Sequence, residues 1–226
     1  MRHYSAPPAA LLALSLFAAP SAFAQGRILD EGTFSVTRAG VSQTENFRIA
    51  RVESGLIRAT ATVVSGSQRV TSTLTVDTLG MPTQYDVVVT ERGARSLSVK
   101  ALGGGARLIA KTNNQGGDEA MREYPLTGQS LLLEEGLVHQ LFFAAYGRKP
   151  GTVQVIDPRA SRVTSGTLSA QGLEPVDVGG HSVTGTHYSL VVGGVRRDFW
   201  VDAAGRLLRV EIPSAQLVAA REELPR

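Results

Sequence analysis

Through most of the chain apolar and polar residues alternate in twos, and clusters of Gly, Asn, Asp and Pro break the alternation every 8–12 or so positions. A period of two places successive side chains on opposite faces of a strand, so the pattern predicts antiparallel β-structure. Strands are expected at about residues 33–38, 45–52, 56–65, 68–77, 84–91, 96–102, 107–112 and 119–124, and again at 152–156, 162–169 and 186–192. The most legible piece is a hairpin near the end. Arg197, Phe199 and Val201 share one face, Asp202-Ala203-Ala204-Gly205 makes the turn, and Leu208, Val210 and Ile212 alternate with Arg209 and Glu211 until Pro213 stops the strand. Trp200 falls on the opposite face from Phe199 and Val201, where covering a second layer is favoured over marking a binding surface.

One segment changes period. After Glu134-Glu135, residues 136–146 carry Leu137, Val138, Leu141, Phe142 and Ala145 at helical spacing. Gly147 suits a left-handed cap, and Arg148-Lys149 sit at the negative end of the dipole before Pro150. Phe143, Ala144 and Tyr146 make this stretch apolar on nearly all sides, so protein must cover most of its circumference. The predicted fold is therefore mainly β (α+β): a curved antiparallel sheet, or half-open β-barrel, wrapped around one short apolar helix. Such a wrap either fills its concavity or leaves an apolar cavity. The candidate ligand-binding residues are Leu137, Leu141, Phe142, Phe143 and Tyr146 from the helix and Tyr85 from the sheet, with Leu74, Val76, Val87, Leu190 and Val192 as further sheet partners. Residues 214–226 read as a helical extension through Leu217 and Val218 that frays by Pro225.

Composition narrows the setting. Residues 1–24 read as a secretory leader: Arg2 and His3 precede an apolar run from Ala9 to Ala19, and Ala22-Phe23-Ala24 offers small residues before Gln25. The remainder, 25–226, reads as a single β-rich domain, periplasmic or secreted. No stretch is long enough for a stable membrane span, and no Cys near the cleavage point could carry a lipid. With no cysteine among 226 residues, disulfides, thiolate catalysis and Cys-ligated metals are excluded. The formal net charge of +3 is spread along the chain rather than gathered on a stripe, so nucleic acid is not an expected partner.

No catalytic constellation accompanies this. His181 and His187 are six residues apart and would stand about 20 Å apart on one strand, beyond the reach of one metal unless the chain bends at Gly185. His139 on the predicted helix reads as a packed histidine bonded to backbone or to Glu134 or Glu135. No Gly-x-Ser-x-Gly elbow or phosphate-binding loop is present, and Gly103-Gly104-Gly105 reads as a hairpin tip. The adjacent carboxylates Glu134/Glu135, Asp118/Glu119 and Glu222/Glu223 read as solvated pairs rather than as a hydrolytic pair. No catalytic residue, metal or cofactor is expected.

Two strand endings echo one another: Val76-Asp77-x-x-Gly80-x-Pro82-x-x-Tyr85 and Val201-Asp202-x-x-Gly205-Arg206-Leu207-Leu208. With the leader, the lack of Cys and the central apolar helix, they resemble uncharacterised secreted bacterial β-rich proteins of the LolA/LolB-like lipoprotein-carrier fold. That resemblance implies a half-open barrel whose mouth is lined by apolar groups and plugged by helix, used in that superfamily to hold acyl chains in the periplasm. The carriers place several helices over the sheet where one is found here, and none of their functional residues maps onto a position of this chain. The expected function is thus non-enzymatic binding of a lipid or acyl-chain ligand, or of a lipidated exported partner, between sheet and helix. The alternative is an envelope interaction module with a filled core that docks through a sheet edge or the Trp200 face. A hydrolase using His139 or His181/His187 ranks third.

Overall fold

The computed structural model describes residues 26–226, so the leader read at residues 1–24 lies outside the described residues. Fifteen strands form one sheet. The first eight are a meander: β1 (Arg27–Arg38), β2 (Val41–Arg51), β3 (Ile57–Ser65), β4 (Gln68–Val76), β5 (Pro82–Glu91), β6 (Ala94–Gly104), β7 (Arg107–Asn114) and β8 (Glu119–Pro125). There follow β9 (Ser130–Leu132), β10 (Gly151–Asp157), β11 (Arg162–Val178), β12 (His181–Val192), β13 (Val195–Val201), β14 (Leu207–Ile212) and β15 (Leu217–Arg221). In space the order runs from β8 back to β1, then β15 back to β9, so β15 joins two meanders by pairing with both β1 and β14. All pairings are antiparallel except β9 with β10.

The sheet curls strongly without closing into a barrel, because its ends, β8 and β9, do not pair with each other. Instead the β9 end turns inside and packs on β5, where the Tyr85 hydroxyl donates to the Glu134 carboxylate just beyond β9. The concave face carries one continuous core running from Phe34, Ile49 and Leu74 to Phe199, Val210 and Ala219. The free edge β8 is protected by charge: Glu119, Arg122 and Glu123 lie along it and Pro125 ends it, so it offers a poor template for strand addition.

The helix lies in the concavity as expected, but it is shorter and less regular than the predicted span of 136–146. A 3-10 turn, Val138–Leu141, runs into one α-helical turn, α1 (Phe142–Ala145). Gly136, at φ +91°, precedes the first turn, and Tyr146 has already returned to extended backbone. Nor is the segment wholly apolar, since His139 and Gln140 are fully buried within it. Gly147 adopts the left-handed conformation anticipated for it, at φ +64°.

Three further corrections concern strands. Residues 217–221 are extended, not helical: Leu217, Ala219 and Arg221 point inward and the strand bridges β1 and β14. β11 continues through Val178 rather than ending near Ser169, and β9 was not anticipated. Beyond Leu168, β11 has β12 on one side and no strand on the other, so Pro175 sits where no ladder N–H is needed. Gly172 (φ +122°) lies at the bulge that bends this distal half outward. The bent half folds over the outer face of the sheet, burying Trp200 and Leu208 against Val176 and Val178 as a second layer. Gly185 gives this layer close clearance: a Cβ would meet Leu208 Cδ1 at 3.2 Å and Trp200 Cβ at 3.3 Å, so those side chains would have to shift by a few tenths of an ångström.

Candidate functional site

Packing fills the seam between helix and sheet. Leu137 and Leu141 face Val155, Val192, Ile212 and Leu217 across a residual space of about 50 Å³, enough for a few waters and not for a hydrocarbon chain. Phe143 is 2% exposed and lines neither this space nor the larger opening bordered by Phe142 and Tyr146. Tyr85 is also fully buried, and burial with the neighbouring Glu134 carboxylate raises its phenol well above the ordinary tyrosine range. Four of the six sequence-predicted residues are therefore core rather than cavity-facing, or border only this narrow seam.

The other two meet at an opening. Phe142 and Tyr146, one helical turn apart, stack at 5.3 Å between centroids and border a cavity of about 650 Å³, Tyr146 partly exposed and Phe142 largely buried beneath it at 3% exposure. Its walls are the start of β1 (Arg27 to Thr33), the β13–β14 turn (Ala204, Arg206) and the tail after β15 (Glu222, Glu223, Leu224, Arg226). That volume lies within the range of small-molecule sites. The strand-terminal turn that forms one wall is fixed by Asp202, whose Oδ1 accepts from the N–H groups of Ala204 and Arg206. Asp77 does the same for Leu79 and Met81 in the other half, which accounts for the sequence echo as a shared turn.

The cavity wall is held by a buried ion pair that sequence reasoning missed. Arg221 donates through Nη1 to Asp30 Oδ1 at 2.7 Å and to the Leu207 carbonyl at 2.9 Å, and through Nη2 to the Glu31 carbonyl. Its guanidinium also lies over the Phe47 ring, 5.5 Å from the centroid. Gly32 leaves room for this, since a Cβ there would stand 2.9 Å from Nη2. Burial raises the Asp30 carboxyl above its usual value, opposed by Arg221. The available signal was positional: Asp30 and Arg221 both occupy core-facing places in strands whose other inward residues are apolar.

The histidines are used structurally. His139 Nδ1 lies 2.6 Å from Glu45 Oε1, and the same carboxylate accepts the backbone N–H groups of Val138 and His139, so Glu45 caps the helix. Neither Glu134 nor Glu135, the expected partners, takes that role. Glu134 points inward to Tyr85 and Arg159, while Glu135 points outward to Arg38. His187 sits on the outer face, with Nδ1 3.0 Å from Glu174 Oε1 and Nε2 3.0 Å from Asp198 Oδ1, stacked at 4.5 Å on Trp200. Both its nitrogens face carboxylates, which leaves neither lone pair free toward a substrate. His181 is exposed at the far end of β12 and does not approach it.

No family model matches the chain, and no curated protein matches it. The fold is similar to a crystal structure of a beta-barrel-like protein of domain of unknown function DUF1849 from Brucella abortus. The TM-score is 0.58 at 12% identity, over 88% of this chain and 97% of that one. At that identity the likeness establishes the architecture: a β-rich, barrel-like curled sheet.

Proposed function

We propose that this chain is a non-enzymatic exported binding protein that shelters an apolar or lipid-like ligand in the mouth cavity bordered by Phe142 and Tyr146. The single observation that carries this reading is a cavity of about 650 Å³ built on a stacked aromatic pair in an otherwise filled interior. Binding would be driven by burial of hydrocarbon at about 0.8 kcal/mol per CH₂. The resemblance to the lipoprotein-carrier fold supports the same ligand class, with the site moved from the seam, which is packed, to the open end. Docking by strand addition is disfavoured by the charged, proline-ended β8 edge. Hydrolysis is disfavoured by the complete burial of His139 away from the cavity and by the two carboxylates that face His187.

The test is organic-solvent extraction of the purified protein followed by mass spectrometry, together with uptake of an uncharged fluorophore, N-phenyl-1-naphthylamine. A co-purified acyl compound, or saturable uptake that is lost in Leu29→Trp, is expected. No extracted lipid and no uptake would overturn the reading. Export is tested separately: the mature protein recovered from the periplasm or medium should begin at Gln25, and an intact Met1 there would contradict it.

A further inference from the structure

The polar end of the ligand is indicated by the cavity's rim, in an inference that rests on the reading above. β1 and β2 pair with Arg27 directly opposite Arg51. A shift in register between Ile28 and Asp30 decides which way they point. Asp30 and its partner Ile49 are buried on the concave face, whereas Ile28, opposite Ala50, is 42% exposed. The next pair along, Arg27 and Arg51, is thereby returned to the inner side. Arg51 Nη2 accordingly donates to the Tyr146 hydroxyl at 2.7 Å and so stands behind the cavity's edge, while Arg27, solvent-exposed, lines the cavity itself.

Like charges directly opposite on neighbouring strands repel, and an anion placed between two guanidinium groups that lack a carboxylate partner relieves that repulsion. Of the nearby acids, Asp30 is held by Arg221 in the interior, while Glu31 and Glu223 make exposed pairs with Arg48 and Arg226. Glu222, exposed in the tail, also lines the cavity and makes no ion pair among the described residues, so it stands on the rim opposite the β1–β2 cations. Among the described residues neither Arg27 nor Arg51 has a carboxylate within ion-pair distance, unlike the guanidinium of Arg206, which is paired with Asp202 on the same rim.

We infer that the cavity takes an anionic amphiphile. Its carboxylate or phosphate is held between Arg27 and Arg51, beside the Tyr146 hydroxyl, and its hydrocarbon lies on the Phe142–Tyr146 stack. Guanidinium groups suit both oxyanions because their N–H groups match the oxygen spacing.

Equilibrium binding of dodecanoate, dodecyl phosphate, dodecan-1-ol and inorganic phosphate to the full chain tests this, with Arg27→Gln and Arg51→Gln as variants. The two acids should bind at least about tenfold more tightly than the alcohol. Either substitution should remove that preference, with circular dichroism and urea unfolding like the parent's reporting that the variants fold; a preference kept in both would overturn the assignment of the head group to these arginines. A preference for one acid over the other identifies carboxylate or phosphate as the natural head. Equal binding of acid and alcohol would overturn the anionic assignment and leave the ligand reading intact. Binding of none of the three amphiphiles would overturn the ligand reading itself. Inorganic phosphate bound as tightly as dodecyl phosphate would overturn the amphiphile, since the chain would then add nothing.

Discussion

Single residues carry much of the interior order, and several of them are polar. Arg148 is the clearest case: its guanidinium donates to the carbonyls of Phe143 on the helix (3.1 Å), Gly80 in the β4–β5 turn (2.8 Å) and Ser130 on β9 (2.6 Å). Burial pulls its pKa down to about 10, opposed by the charge of Asp77. Arg148→Met strands three buried carbonyls, so a loss of about 3 kcal/mol is expected in urea denaturation, whereas a loss below about 0.5 kcal/mol would contradict the role. The buried carboxyls also make stability depend on pH. Burial raises Glu134, opposed by Arg159 and Tyr85, and burial likewise raises Asp157. Because the folded chain holds these protons more tightly than the unfolded chain, their contribution is full below the unfolded carboxylate range and is lost as pH rises through the folded values. Glu174 runs the other way: hydrogen bonds from His187 and Trp200 lower it, so its contribution is lost as pH falls through its folded value. Denaturation midpoints measured from pH 7 down to 4.5 should therefore rise less in Glu134→Gln than in the parent chain, and an unchanged slope would contradict the assignment.

Elements with strong alternation were legible in the sequence, and those made by tertiary context were not. The meander from β1 to β8, the β13–β14 hairpin and both Asp-anchored turns follow from period two and turn chemistry. The bulge between Trp200 and Val201, however, sends Leu208 to the outer layer with Trp200, apart from Val210, against the expected alternation. β9 is three residues long and borrows its parallel partner from β10, so it has no local signature. β15 reads weakly because two of its five residues are alanine and its last inward position is Arg221. Yet β15 is the only strand that joins the two meanders among the described residues. A chain ending at Ile212 would leave β1 and β14 as open edges and Asp30 buried without its cation. Such a chain should lose its cooperative unfolding transition and aggregate, and a sigmoidal transition like that of the full chain would contradict the joining role. The helix was legible as an apolar break in period, but not its ends. Glu45 reaches it from β2 across 93 residues of sequence to cap Val138, and no local pattern encodes that.

At the scale of the whole molecule, an open curl solves a different problem from a closed barrel. Turning the β9 end inside lets the sheet fill its own centre with the helix and the segment around Glu134, so the middle is packed and a cavity of about 650 Å³ opens toward one end of the described residues. The expectation of an oily helix cupped in a bent sheet holds in outline, while the expected lining divides. Leu137, Leu141, Phe143 and Tyr85 serve the core or its narrow seam, and Phe142 and Tyr146 face the cavity. Sequence periodicity cannot make that division, because a side chain buried by protein and one awaiting a ligand obey the same pattern. The most direct measurement is photo-crosslinking with a diazirine-bearing acyl chain, followed by peptide mass spectrometry. Label should concentrate on peptides containing Leu29, Phe142, Tyr146 and Leu224, which line the mouth cavity or stand at its edge. Label confined to the outer face around Leu102, Ile109 and Met121, or none above background, would contradict a ligand site at the mouth.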